Sequence, residues 1–388
     1  MPITGEITVK PQAFAAAVAW AAKWVTGRPV TPIQAGLALD VDPLGYLTIT
    51  AYNENVTARA TVGTEGLPAG EAGRAVVSGR LLADLAATFS AGKPIEISTG
   101  DSGHVILRAG RFEATLPTFA EDEWPTQPGE LPGIGQVIGD VLASAVARCG
   151  VANLKDESKT GVFRLMYLGF TAGRIVVYAT DRLRVARTYI TWNTDERTLP
   201  ESRSATPMGT VLIDAAAAFA GPDAVEIGLS EHMLSLTSPT RSLSMRLVDP
   251  GENGWPVEVM DANIALADDY DGLAVLAPAE VAMPLKRASI VRGKEGPVKL
   301  GLTEGTLTIA SSEATLDQKG NEGVDITYEG PDASVAFNPR YLAEALGSVP
   351  GDEVEMRFQA VEFTRRPVVL TAKADPDWRH VIVPVVMN

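Results

Sequence analysis

Histidine, cysteine and paired carboxylates carry most acid-base, nucleophilic and metal chemistry, and this chain holds few of them. There are three histidines, His104, His232 and His380, and one cysteine, Cys149. A thiol nucleophile needs a base beside it, and a zinc centre needs three or four Cys, His or carboxylate ligands. One cysteine allows neither an internal disulfide nor a cysteine-rich zinc site. Three scattered histidines argue against a multi-histidine centre. Asp40-Val41-Asp42 offers two carboxylates to a metal, although a pair of aspartates at a strand end is ordinarily a solvated turn. The sequence contains no Gly-x-x-x-x-Gly-Lys-Ser/Thr loop, Gly-x-Ser-x-Gly elbow or His-Glu-x-x-His helix, so nucleotide hydrolysis, serine hydrolysis and zinc proteolysis lack their usual signatures. A metal-dependent activity at Asp40 and Asp42 is the one catalytic alternative left, and the composition weighs against it.

The 388 residues include 33 Lys and Arg against 48 Asp and Glu, a formal charge of −15. Such a balance argues against indiscriminate coating of nucleic acid, which depends on neutralising phosphates, but it leaves room for a local basic surface. The length suits two or three domains, and the 46% hydrophobic content is enough to build their cores. No apolar run approaches the roughly 20 residues of a spanning helix. Met1 to Gln12 does not read as a secretory signal, and a cytoplasmic protein is the expectation.

The elements that must position any site repeat along the chain. Arg111-Phe112-Glu113-Ala114-Thr115-Leu116 runs on to Trp124-Pro125, and Ser242-Leu243-Ser244-Met245-Arg246-Leu247 runs on to Trp255-Pro256, each leucine eight residues before its Trp. Pro125 and Pro256 lie 131 residues apart, close to one third of the chain. A glycine turn also opens a strand at Gly45-Tyr46-Leu47, Gly173-Arg174-Ile175 and Gly305-Thr306-Leu307, with offsets of 128 and 132. These coincident periods predict a threefold repeat over 1–129, 130–260 and 261–388. Within each unit the pattern predicts two helices: Pro11 to Trp24 and Ser78 to Phe89, Val137 to Ala152 and Asp214 to Ala220, Pro278 to Val291 and Asn338 to Val349. Ser78 and Asn338 stand as N-caps, and Pro284 kinks the fifth helix or delays its start. Alternating strands such as Ile95 to Ser98, Val105 to Arg108, Val225 to Ile227 and Leu234 to Leu236 lie between the helices. Val381 to Val386 is a β-branched strand candidate. The expected fold class is α+β, each unit having two helices packed on antiparallel sheets.

Several segments, in order and over nearly the whole chain, resemble the bacterial DNA sliding clamp, the β subunit of DNA polymerase III. Thr26-Gly27-Arg28-Pro29-Val30-Thr31-Pro32-Ile33 resembles the family's Arg-Pro-x-x-Pro-Ile/Val loop. Val76-Val77-Ser78-Gly79-Arg80-Leu81-Leu82 is similar to the second-helix entry of actinobacterial clamps. Ala179-Thr180-Asp181-Arg182-Leu183-Arg184-Val185-Ala186 resembles Ala-Thr-Asp-x-x-Arg-Leu-Ala. Thr115-Leu116-Pro117, the two Trp-Pro pairs and Ala336-Phe337-Asn338-Pro339-Arg340-Tyr341-Leu342 complete the set.

The resemblance implies a head-to-tail homodimeric ring of six similar domains. It would encircle duplex DNA without reading sequence and tether the replicative polymerase, with no cofactor and no catalysis. Cations on or beside the hole-facing helices would then be Lys23, Arg28, Arg80, Arg148, Lys155, Lys286, Arg287, Arg292, Lys294 and Arg340, Arg28 matching the family's loop arginine. The resemblance also implies a groove for linear peptides of the polymerase α subunit, clamp loader and repair polymerases. Its walls carry over to Thr180, Arg182, Leu183, Arg184 and Val185, with Phe163, Pro256 and Met260, and with Val381, Val383, Pro384, Val385 and Val386. The dimer contact carries over to Arg111 and Phe112 against Ile290 and Val291. The segment at Arg111 is one residue shorter than usual, which leaves the facing of its strand open.

The groove departs from the family at its C-terminal wall. The usual Met-Pro-Met/Val-Arg-Leu/Ile reads Val383-Pro384-Val385-Val386-Met387-Asn388, with stiff valine for flexible methionine and Val386 for arginine. Leu183 replaces an aromatic or histidine, and Met260 stands where some members carry arginine. A more apolar, differently shaped groove is expected. The alternatives are a divergent clamp, phage-encoded or a second copy, that serves a specialised polymerase or resists a groove inhibitor, and a monomeric decoy for clamp partners.

Overall fold

The computed structural model describes residues 3, 5–27, 29, 31–65, 73–89, 92–100, 103–155, 161–194, 202–292, 296–313, 318–360 and 366–386. Arg28 and Lys294, among the cations expected at the hole, lie outside the described residues. The chain divides into two compact units, one of Met1–Gly139 with Gly221–Leu247 and one of Asp140–Ala220 with Val248–Asn388.

The first stretch holds β1 (Glu6–Val9), α1 (Pro11–Ala22), β2 (Gly36–Val41), β3 (Tyr46–Tyr52), β4 (Val56–Gly63), β5 (Gly73–Ser78), α2 (Gly79–Ala86), β6 (Ile95–Thr99), β7 (Val105–Ala109), β8 (Phe112–Leu116) and β9 (Gly133–Ile138). Next come α3 (Gly139–Gly150), β10 (Tyr167–Thr171), β11 (Arg174–Thr180), β12 (Arg184–Thr191), β13 (Arg203–Ala205) and α4 (Gly209–Ala218), then β14 (Ala224–Leu229), β15 (Met233–Ser238) and β16 (Arg241–Arg246). The remainder supplies α5 (Val257–Ala265), β17 (Gly272–Leu276), α6 (Pro278–Arg292), β18 (Val298–Thr303), β19 (Thr306–Glu313), β20 (Gln318–Asp325), β21 (Thr327–Glu329), β22 (Ala333–Phe337), α7 (Pro339–Gly347), β23 (Val354–Phe358), β24 (Val368–Ala372) and β25 (Asp375–Ile382).

The first unit contains a four-stranded sheet, β1-β6-β7-β8, and an eight-stranded one, β5-β2-β3-β4-β16-β15-β14-β9. In α1, Phe14, Val18 and Ala21 form a fully buried stripe, at a spacing that keeps apolar residues on one helical face. Pro11 opens the helix as expected, its missing N–H costing nothing at a position with no intrahelical acceptor.

The second unit contains a nine-stranded sheet, β13-β10-β11-β12-β25-β24-β23-β17-β21, and a four-stranded one, β20-β19-β18-β22. β24 is buried at all five positions. Val368, Leu370 and Ala372 join the core shared with α6 and α7, whereas Val369 joins a second cluster containing Met260 and Ile264 of α5. Burial on both faces explains why Val368, Val369 and Leu370 follow one another instead of alternating with polar residues, while the buried Thr371 hydroxyl donates to Glu355 at 3.0 Å. Each of the strand's larger apolar side chains contributes about 1.5–3 kcal/mol by leaving water.

The three glycine turns share one conformation. Gly45, Gly173 and Gly305 have φ of 84°, 76° and 75°, the left-handed region that glycine enters without a Cβ clash. Asn338 caps α7, its side chain accepting from the Arg340 amide at 3.0 Å. Ser78 precedes α2 without a side-chain capping bond.

Other boundaries differ from the sequence reading. Val137 and Ile138 close β9 rather than opening a helix, and α4 begins at Gly209, five residues ahead of Asp214. α6 starts at Pro278 and runs through Pro284, whose ring is buried in the core. The C-terminal strand starts earlier than expected and ends at Ile382, so Val383 to Val386 continue outside it. Among the described residues no helix is long and apolar enough to cross a membrane.

Candidate functional site

The turn between β11 and β12 is built by two short polar side chains. Asp181 Oδ1 accepts from the amides of Leu183 and Arg184 at 3.1 and 3.2 Å, an arrangement in which an aspartate imitates backbone and reverses the chain. The Thr180 hydroxyl accepts from the Arg182 amide at 3.2 Å and donates to the Arg184 carbonyl at 2.8 Å. Arg182 is thereby held at φ 82°, the only non-glycine with positive φ among the described residues. Its guanidinium lies over the Phe163 ring, 4.6 Å from the centroid.

Alternation along β12 separates the next two side chains. Arg184 is 3% exposed and pairs with Asp181 at 2.9 Å and Glu344 of α7 at 2.6 Å. Its guanidinium also stacks on Tyr341 at 4.3 Å. Thr180 and Arg184, expected as groove walls, are therefore buried supports of the turn, their polar atoms used internally. Val185 points to the opposite face and joins Val381, Met260, Leu165, Tyr178 and Trp255 in one apolar cluster.

β25 lies directly beside β12, with Arg184 opposite Ile382 and Val185 opposite Val381. Past the strand end the Val383 amide donates to the Leu183 carbonyl at 2.8 Å, and the Val385 amide to Ala336 at 2.7 Å. These bonds fix the departing chain. Leu183 and Val383 stay exposed beside the cluster at 48% and 36%, and Val386 is 63% exposed. Pro384 is buried and Val385 half-buried.

Trp255-Pro256 positions α5. The Trp255 indole donates to the Leu165 carbonyl at 3.3 Å, and its ring stacks at an angle on Tyr167 and Tyr178. Pro256 is the N-cap, and Met260 descends into the cluster. Asp261 accepts a hydrogen bond from the Tyr178 hydroxyl and pairs with Arg187 at 3.3 Å. Burial, and then Asp261, raise the Tyr178 hydroxyl above its ordinary pKa.

The groups that first suggested chemistry are sequestered or structural. Cys149 is fully buried, and burial raises its thiol pKa. His380 is fully buried in β25 with neither ring nitrogen bonded. Burial, helped by the Arg184 charge, pushes its pKa down to about 3. Asp40 pairs with Arg74, and burial keeps its carboxyl above the usual range despite that partner. Asp42 accepts from the amides of Leu44 and Tyr46, both at 2.9 Å, as a turn residue does. Among the described residues no cluster of three or more His, Cys, Asp or Glu is placed to hold a metal.

The expected cations fall mostly on helices. Lys23 is the C-cap of α1, and Arg80 of α2 is 93% exposed. Lys286 of α6 and Arg340 of α7 border a hollow of about 510 Å³ between those helices. Lys155 is exposed, and Arg292 ends α6. Arg148 faces Asp375 at 3.7 Å, and Arg287 makes a bidentate pair with Glu322. Of the dimer candidates, Phe112 is 42% exposed on the outermost strand of its sheet and packs edge-on against Phe89, with Arg111 exposed beside it. Ile290 is 71% exposed, and Val291 is half-buried.

Two models of one protein family match the chain. The N-terminal domain of the DNA polymerase III beta subunit matches residues 6–128, and its C-terminal domain residues 265–386. The chain belongs to the bacterial DNA sliding-clamp family. Such a clamp is a non-catalytic processivity factor of DNA replication, encircling the duplex and binding polymerase and other factors. The beta sliding clamp of Streptomyces coelicolor is 29% identical, covering 98% of this chain and 99% of the relative. The beta sliding clamp homolog GriR of Streptomyces muensis is 26% identical, covering 97% and 98%. Among solved structures, the Pseudomonas aeruginosa clamp bound to griselimycin has a TM-score of 0.87 at 21% identity, covering 99% of this chain and all of that one. The Bacillus subtilis clamp has the same TM-score at 19% identity and equal coverage.

Sequence reasoning missed the sliding clamp's residues behind the turn, Tyr341, Glu344, Asp261 and Arg187. Arg340-Tyr341-Leu342 was within a recognised motif, but nothing local ties Tyr341 to Arg184.

Proposed function

We propose that the face formed by Leu183, Val383 and Val386, over the floor of Val185, Met260 and Val381, is the groove through which this clamp captures linear peptides of the polymerase, clamp loader and repair polymerases. The observation that carries the reading is the bond between Val383 and Leu183. It joins two exposed apolar residues from distant parts of the chain over a buried apolar cluster. Apolar anchors in such a groove supply most of the affinity, and main-chain groups set the register. The test is fluorescence-polarisation titration of a blocked Gln-Leu-Ala-Leu-Phe peptide against the protein and Leu183→Asp. Saturable binding weakened at least tenfold by the variant is expected, both states being tolerable at an exposed site. Unchanged affinity in Leu183→Asp overturns the assignment.

The exposed cations of α1, α2, α6 and α7 support DNA contact in an otherwise acidic protein. Their contacts would be loose and salt-screened, as sliding requires. Arg287 and Arg148, already paired with carboxylates, would contribute less. Exposed Phe112 on an edge strand and exposed Ile290 support a homodimer joined through these two regions, since an uncovered edge invites pairing. The repeated glycine turns support three clamp domains, 1–129, 130–260 and 261–388, and the replicative role supports a cytoplasmic location.

A second reading is favoured by the valine-rich wall at Val383 to Val386: a divergent copy that serves a specialised polymerase or resists a groove-binding inhibitor. Replacing the resident clamp in a reconstituted processive synthesis assay separates the two, a housekeeping clamp restoring full product length and a specialised copy failing with the replicative polymerase.

A further inference from the structure

Among the described residues, Arg182 is the one non-glycine position where backbone strain is accepted to place a side chain. At φ 82° an L residue is disfavoured and glycine is not, so retention of arginine there points to a role for its guanidinium. The conformation is enforced from both sides, by the Thr180 hydroxyl on its own amide and by the Asp181 carboxylate on the two amides that follow.

The guanidinium is fixed but electrostatically unanswered. It stacks on Phe163, which immobilises its plane while leaving its N–H edges free. Asp181, the nearest carboxylate in sequence, already accepts two amides and pairs with Arg184. Among the described residues no carboxylate pairs with Arg182. Arg184, two residues on, shows the contrast: buried, stacked on Tyr341 and satisfied by two carboxylates. One arginine serves the fold, and the other is exposed and directly precedes exposed Leu183 in the turn.

We infer that Arg182 is a specificity-determining residue that selects peptides carrying an acidic side chain immediately beside their apolar anchors. A planar cation held rigidly on an aromatic ring is preorganised for bidentate pairing with a carboxylate, so little side-chain entropy remains to be lost on binding. The −15 charge of the chain repels acidic ligands at long range, but salt screens that repulsion beyond roughly 8 Å, leaving the local cation to discriminate. The inference rests on reading this face as the peptide groove.

The experiment uses the full chain and blocked peptides with the core Gln-Leu-Ala-Leu-Phe, extended by Glu or Gln directly before the core in one pair and directly after it in another. Polarisation titrations at physiological salt are run on wild type, Arg182→Gln and Arg182→Lys. At one flank the Glu peptide is expected to bind wild type about fivefold more tightly than its Gln twin. Arg182→Gln should bring that ratio to about one, and Arg182→Lys should retain only part of it. A ratio near one at both flanks in wild type, or an undiminished ratio in Arg182→Gln, overturns the inference while leaving the groove intact. Failure of all four peptides on wild type overturns the groove reading and this inference with it.

Discussion

Replacing Glu344 by glutamine tests whether the Arg184 network holds the nine-stranded sheet together where β12 meets β25. Arg184 is 3% exposed and has two anionic partners, Asp181 at 2.9 Å and Glu344 at 2.6 Å. The variant keeps an oxygen acceptor of the same shape but removes one of the two charges that compensate the guanidinium. A hydrogen bond to a charged group contributes about 1.5–3 kcal/mol. Breaking a buried pair outright costs about 3–5 kcal/mol because an unpaired charge remains. Here Asp181 remains and Glu344 is one-third exposed, which puts the loss near the lower figure, about 2 kcal/mol. That is roughly a 30-fold rise in the population of locally opened states. The assay is native-state hydrogen exchange read by mass spectrometry on the full chain. Peptides spanning Arg184–Thr191 and Asp375–Ile382 should exchange roughly 30-fold faster, and those spanning β2 to β4 of the other unit should keep their rates. A change below about threefold in β12 and β25, or an equal acceleration in β2 to β4, would refute the reasoning.

His380 and Cys149 give two further tests. His380 is neutral in the fold with its pKa near 3, against about 6.5 when unfolded. Between those values the unfolded chain binds the extra proton, so this group's stability is fully present above about pH 6.5 and is lost as pH falls toward 3. By pH 5 the loss is about 2 kcal/mol, and His380→Leu should flatten that part of a urea-unfolding pH profile; an unaltered slope would be inconsistent with a buried neutral imidazole. The Cys149 thiol is buried with a raised pKa, so Ellman's reagent at pH 8 should release no chromophore from the native protein over an hour and one equivalent in denaturant. Stoichiometric reaction within minutes in native buffer would contradict the buried placement.

Local chemistry was legible wherever the sequence determines it alone. The glycine turns, the proline at the start of α1 and the Asn338 cap each depend on one residue's own geometry. The strands at Ile95, Val105, Val225 and Leu234 followed from alternation. Boundaries without such markers were misplaced. Met208-Gly209 carries no capping side chain, so α4 seemed to begin at Asp214. Asp375-Pro376-Asp377 has the composition of a turn yet opens β25, and α5, with β-branched Val257, Val259 and Ile264, has weak helical character of its own. At the site, the motif located the turn, but which side chains face outward depended on tertiary partners. Arg184 turns inward because Glu344, 160 residues away in sequence, waits for it, and no local pattern encodes that pairing.

The union of β12 with β25 also sets an order of events during synthesis. β12 is made just before the midpoint of the chain, but its neighbour follows roughly two hundred residues later. Until then the edge of β12 is bare, with the hydrogen-bonding groups of Arg184 to Arg187 unclaimed. The first unit has nearly the same delay, needing β16, 181 to 189 residues further on, to cover β4. Pairings so distant in sequence form slowly and leave edges open to neighbouring nascent chains. A ribosome stalled before Asp375 therefore holds a half-built sheet, and the yield of this protein becomes a contest between the arrival of one eight-residue strand and the capture of β12 by another copy.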